Sequence, residues 1–100
     1  MKRRRVIFSE PTYDDFINIY LRIEEFAGSG VAEAYLKRLQ AHCLRFDIAS
    51  ERGHRRDDLS PGLRVTGFDR RVTILFTVTD EEVVILRVFY GGVDWEPLLA

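Results

Sequence analysis

One hundred residues, 46% of them hydrophobic and 31% charged, hold apolar material for one core and not for two, so a single domain over residues 1–100 is expected. The formal net charge of -1 excludes a general attraction to nucleic acid, although Lys2, Arg3, Arg4 and Arg5 at the start and Arg52, Arg55 and Arg56 mid-chain leave room for a local basic patch. No apolar run is long enough to span a bilayer and the cationic start leads straight into a short strand, which predicts a cytoplasmic protein with no membrane partner.

In chain order, Val6-Ile7-Phe8 are strand formers, and Ser9-Glu10-Pro11 supplies a helix cap, a first-turn acid and a tolerated proline. Tyr13, Phe16, Ile17, Tyr20, Ile23 and Ala27 then recur at spacings of three and four, which predicts a first helix burying that stripe and keeping Asp14, Asp15, Arg22 and Glu25 wet. Ile19 and Phe26 fall off the stripe and therefore suggest a second partner for this helix. Gly28-Ser29-Gly30 ends the helix and starts another, with Glu33 three residues after Gly30 and Ala32, Tyr35, Leu36, Leu39, Cys43 and Phe46 on its buried side. So short a connection forces an antiparallel helical hairpin.

Glu51 to Ser60 is charged and aperiodic and reads as a loop. After Pro61-Gly62, Leu63 to Phe68 and Arg71 to Thr79 alternate as strands around a tight Asp69-Arg70 turn, and Val83 to Tyr90 follows a second turn. The last run is apolar on both alternating faces, which an edge strand would not tolerate, so it belongs inside the sheet beside the first strand. The expected architecture is α+β: two layers in the order β-α-α-β-β-β, with a helical hairpin on one face of a mostly antiparallel four-stranded sheet of order 1-4-3-2. The other face, with Thr73, Thr77 and Arg64 as members, is expected to be solvated or to bind something.

Few residues point to chemistry. One cysteine and the histidines His42 and His54 cannot close a zinc site, and no metal or cofactor is expected. Ser9, Ser29, Ser50 and Ser60 lack a nucleophile-elbow glycine pattern, Cys43 reads as a small buried hydrophobe, and His54 reads as a solvated loop histidine before an acid-base group. Arg64, Arg70, Arg71 and Arg87 could converge on one sheet face with Arg55 and Arg56 to meet phosphate or an acidic segment; alternatively Asp57, Asp58, Asp69, Glu82, Asp94 and Glu96 neutralise them pairwise. Arg87 is the most demanding of these, because a guanidinium inside an apolar strand must meet a carboxylate or open into a cleft. Tyr90 and Trp95, flanking Gly91-Gly92, either stack on a partner or close the end of the core.

Gly62-Leu63-Arg64, the Asp69-Arg70-Arg71 turn, Phe76-Thr77-Val78-Thr79-Asp80 and the run Ile85-Leu86-Arg87-Val88-Phe89-Tyr90-Gly91-Gly92-Val93-Asp94 resemble the RelE/ParE superfamily of toxins from type II toxin-antitoxin modules, above all its ParE branch. The resemblance implies a toxin that inhibits DNA gyrase through protein contact, is neutralised by a ParD-like antitoxin, and meets DNA only through that antitoxin. It assigns target contact to Arg64, Arg70, Arg71, Arg87, Tyr90, Asp94 and Trp95, and antitoxin contact to Tyr13, Phe16, Ile19, Tyr20, Ile23 and Phe26. The alternative is a RelE-like ribosome-dependent endoribonuclease of messenger RNA using Arg64, Arg87 and Tyr90. Against it, Thr73 and Gly92-Val93 stand where RNA-cleaving members carry basic residues, so no catalytic set is expected. A third reading is a degenerate, non-toxic member retained for antitoxin binding or autoregulation.

Overall fold

The computed structural model describes residues 2–99. The chain runs β1 (Arg5–Phe8), α1 (Glu10–Ala27), α2 (Ser29–Leu44), a 3-10 turn (Arg45–Asp47), β2 (His54–Arg55), β3 (Arg64–Phe68), β4 (Val72–Val78), β5 (Glu82–Tyr90) and a second 3-10 turn (Glu96–Leu99). The two helices lie against one face of a single sheet, so the α+β architecture is as expected. The sheet, however, has five strands in the order β1-β5-β4-β3-β2, where the sequence suggested four in the order 1-4-3-2. The added strand is the two-residue β2, which pairs His54 with Val65 and Arg55 with Arg64 inside the segment expected to be loop. Nothing periodic marks so short a strand; it exists because β3 offers it an unpaired edge.

β1 is parallel to β5, and the remaining pairs are antiparallel. Ser9 caps α1 by accepting from the Thr12 N–H, and Pro11 sits in the first turn, where a missing N–H costs nothing. Between the helices stands Gly28 alone, at φ +90°, donating to the Glu24 carbonyl and accepting from the Ala32 N–H. That left-handed region favours a residue without a Cβ, so Gly28 both ends α1 and starts α2, in place of the expected cap at Gly30. Asp69 and Arg70 both take positive φ, the signs of a type I′ turn, which matches the twist of the β3–β4 hairpin.

The main core lies between helices and sheet. α2 buries Ala32, Tyr35, Leu36, Leu39 and Cys43 as its periodicity predicts. α1 does not follow its predicted stripe: it buries Thr12, Asp15, Phe16, Ile19 and Ile23, while Tyr13 is 54% and Ile17 57% exposed. Ile19, expected off the stripe, is only 3% exposed, and its burial contributes about 1.5–3 kcal/mol. The stripe is rotated because Thr12 and Asp15 find hydrogen-bond partners on β5 and can therefore point inward.

β5 also departs from simple alternation. A bulge between Leu75 and Phe76 of β4 pairs Leu75 with Arg87 but Phe76 with Ile85, leaving Leu86 as the extra residue. Val83 and Ile85 face the helices before the bulge, and Val88 does so after it. Phe89, which strict alternation from Val83 and Ile85 would place on the helix side, faces the outer side. There it joins Leu63 and Leu75 in a second small core, with Val65, Leu86 and Trp95 against it. The outer face is thus partly covered by the chain's own C-terminal segment.

Candidate partner-binding cleft and hairpin surface

Three polar side chains at three-residue spacing start the site. Ser9 donates to the Leu86 carbonyl at 2.8 Å, Thr12 donates to the Ile85 carbonyl at 2.9 Å, and Asp15 accepts from the Val88 N–H at 2.9 Å. One helical turn advances about 5.4 Å, close to the rise of two strand residues, so the start of α1 follows β5 where β1 has ended. Side chains here do for β5 what a neighbouring strand would do, and they leave its backbone satisfied at Val88.

Arg87 closes this arrangement. Its strand position faces outward beside Leu75 and Phe89, and its guanidinium carbon lies 4.7 Å from the Phe89 ring centroid. The side chain reaches the edge of the sheet, and Nε and Nη2 donate to the Asp15 carboxylate at 2.8 and 2.9 Å. Asp15 is nearly enclosed, with its side chain 8% exposed, and Arg87 keeps 30%. The bonds to Asp15 push the Arg87 pKa up, so the guanidinium stays charged. The half-buried arginine meets a carboxylate, which α1 supplies from a position expected to be wet.

Beyond Arg87, the cleft continues along α1 to Arg22. Its guanidinium lies 5.2 Å from the Tyr90 ring centroid, and against Gly91, where an added Cβ would come within 3.3 Å of it. Asp15, Asn18, Ile19, Arg22, Arg87, Val88, Phe89, Tyr90 and Leu98 together line an open space of about 230 Å³.

The other arginines do not join this cleft. Arg64 is the cross-strand partner of Phe76, a core residue on the helix side, and donates to the Arg52 carbonyl. Arg64 and Tyr90 pair with β4 at Phe76 and Val72, about 13 Å apart along the strand. Arg70 and Arg71 are exposed at the β3–β4 turn, Arg55 pairs with Asp57, and Arg56 pairs with Asp58 and Glu96. The expected convergence of Arg64, Arg70, Arg71 and Arg87 on one sheet face is therefore corrected; pairwise neutralisation by the expected acids holds for Arg55 and Arg56, while Arg87 pairs with Asp15, outside that set. Asp94 is exposed, whereas Trp95 packs against the outer core under the Arg56 guanidinium.

The hairpin presents a different surface. Tyr13, Ile17, Leu21 and Phe26 of α1 and Val31 and Leu44 of α2 are exposed apolar residues. Phe16, Ile17, Tyr20, Leu36 and Gln40 line an open groove of about 280 Å³ between the helices. Of the six positions expected to meet an antitoxin, Tyr13 and Phe26 are exposed, Tyr20 is half-buried and Phe16 forms part of the groove floor. Ile19 and Ile23 belong to the core instead. Burial pushes the Cys43 thiol up to about 12, so it is an inert core residue. His42 is wedged against Phe46 and Phe68, and His54 lies exposed on β2. Among the described residues no group of three potential ligands is placed to hold a metal, and no helix is long and apolar enough to cross a membrane.

The two-helix hairpin over one face of a sheet is a fold shared with solved chains from toxin-antitoxin systems. It matches a chain of the chromosomal ParDE toxin-antitoxin system from P. aeruginosa with a TM-score of 0.77 at 19% identity, covering 89% of this chain and 97% of that one. A chain of the toxin-antitoxin complex RelBE2 from Mycobacterium tuberculosis gives a TM-score of 0.65 at 18% identity, covering 93% and 97%. At these identities the likeness concerns the fold alone. Sequence goes further: residues 6–95 match the family described as ParE toxin of type II toxin-antitoxin system, parDE. Toxin ParE3 of Caulobacter vibrioides is 33% identical over 90 residues, covering 90% of this chain and 89% of the relative. The chain belongs to the ParE toxin family of type II toxin-antitoxin systems.

Proposed function

We propose that this toxin blocks DNA gyrase by protein contact and is neutralised by a ParD-like antitoxin that docks on the hairpin. Support for a non-cleaving mode comes from the placement of the three residues a RelE-like nuclease would need: Arg87 and Tyr90 share a cleft, and Arg64 lies outside it. Arg87 is committed to Asp15, Tyr90 lies against Arg22 and Tyr35, and Arg64 points to the helix side of the sheet. An acid, a base and a phosphate clamp must meet within hydrogen-bond reach of one phosphodiester, and these three do not. Target contact falls most naturally to Arg70, Arg71 and Asp94, which are exposed. Antitoxin contact falls to Tyr13, Tyr20 and Phe26 with the groove floor at Phe16, because an amphipathic helix laid in an apolar groove needs such anchors.

Purified toxin added to gyrase and relaxed plasmid should stop supercoiling, while translating ribosomes keep their message intact. Cut message with untouched gyrase would overturn the proposal in favour of the endoribonuclease. Phe26→Ala should leave stability within about 0.5 kcal/mol of wild type, as for an exposed surface position, yet weaken antitoxin affinity in calorimetry.

A further inference from the structure

We infer that the cleft between α1 and the free end of β5 is a recognition site for an extended acidic peptide, with Arg22 as the carboxylate-binding group. Main-chain geometry supplies the first half of the site. The Gly91 N–H donates to the Arg71 carbonyl at 2.7 Å, so Arg87, Phe89 and Gly91 turn their hydrogen-bonding groups toward β4, and Val88 and Tyr90 turn theirs the other way. On that side β1 has already stopped at Phe8, and the Val88 N–H is taken by Asp15. The N–H and C=O of Tyr90 are left facing the cleft as the open end of a strand edge, which an extended segment can extend.

Charge supplies the second half. Arg87 is neutralised by Asp15, but Arg22 makes no ion pair among the described residues and lies over the Tyr90 ring beside Gly91. With Arg22, Arg87 and Asp15 as its ionised groups, the cleft carries a surplus of one positive charge. A guanidinium stacked on a ring offers its in-plane donors to a carboxylate, and Asn18, one helical turn before Arg22 on α1, lines the same cleft. Gly91 keeps the space: a side chain there would press on the Arg22 guanidinium. The occupant is therefore a peptide whose backbone meets Tyr90 and whose acidic side chain meets Arg22.

The test is an NMR titration of the full chain with acetyl-Val-Glu-Val-amide and, in parallel, acetyl-Val-Gln-Val-amide. The glutamate peptide should move the Tyr90 amide and the Arg22 Nε–H resonances and bind about tenfold more tightly than its glutamine counterpart. Arg22→Gln should erase that preference, and Arg45→Gln, at an exposed arginine ending α2, should keep it. Equal binding of the two peptides, a preference that survives Arg22→Gln, or no binding at millimolar peptide overturns the inference. It goes beyond the gyrase reading, since the titration gives the same answer whichever enzyme the toxin acts on.

Discussion

Arg87 and Arg56 make the same kind of contact in two different surroundings. Each guanidinium meets a carboxylate through two nitrogens at 2.8–3.0 Å, Arg87 on Asp15 and Arg56 on Asp58, with Glu96 added for Arg56. Asp15 is almost enclosed, with a strand N–H as its third partner, whereas Asp58 is 63% exposed in side chain. The enclosed carboxylate has no water to fall back on if its arginine is removed; the exposed one does. Surroundings, not bond count, decide which pair the fold depends on.

Arg87→Gln separates the two most sharply. It should lower the unfolding free energy by about 3 kcal/mol in urea titration, because it strands the Asp15 carboxylate in the core. Adding Asp15→Asn should recover part of that loss, and a double mutant no better than Arg87→Gln would show that packing rather than charge is at stake. A smaller effect comes from His42, whose pKa is lowered by burial first and by Arg52 and Arg45 second. The unfolded chain therefore binds a proton more readily than the folded one. Stability is complete above the ordinary histidine value of 6.5 and should fall as pH drops through the lowered folded value, a slope that His42→Gln flattens in pH-dependent melts. Arg56→Gln, the smallest, should leave the melting temperature unchanged; a clear drop would mean that the Trp95 strap relies on this arginine.

Much of the fold is legible in the residues. The α2 stripe, the Asp69-Arg70 turn and the helical hairpin follow from spacing and local conformational preference. The rotation of α1 does not, because Asp15 and Thr12 count as polar until β5 is present to bond them. Ser9, Thr12 and Asp15 at three-residue spacing, on one side of a helix, were the available signal. The bulge at Leu86 is likewise invisible in a run apolar on both faces, since either phase looks equally good. Arg22 carried no sequence signal beyond a wet helix position. Its importance comes from Tyr90 and Gly91, which only the folded chain brings to it.

The Ser9-Thr12-Asp15 row also sets a timetable. β1 pairs only with β5, Arg5 with Glu82, and the row bonds Ile85, Leu86 and Val88 across sequence separations of 73 and 77 residues. The first strand and the Ser9-Thr12-Asp15 row thus have nothing to close on until nearly the whole chain has been made. Pairings this distant carry a large loop-closure cost before any contact repays it, and they slow folding relative to a local hairpin. A chain whose earliest residues wait for its last strand passes through most of its synthesis without a completed sheet.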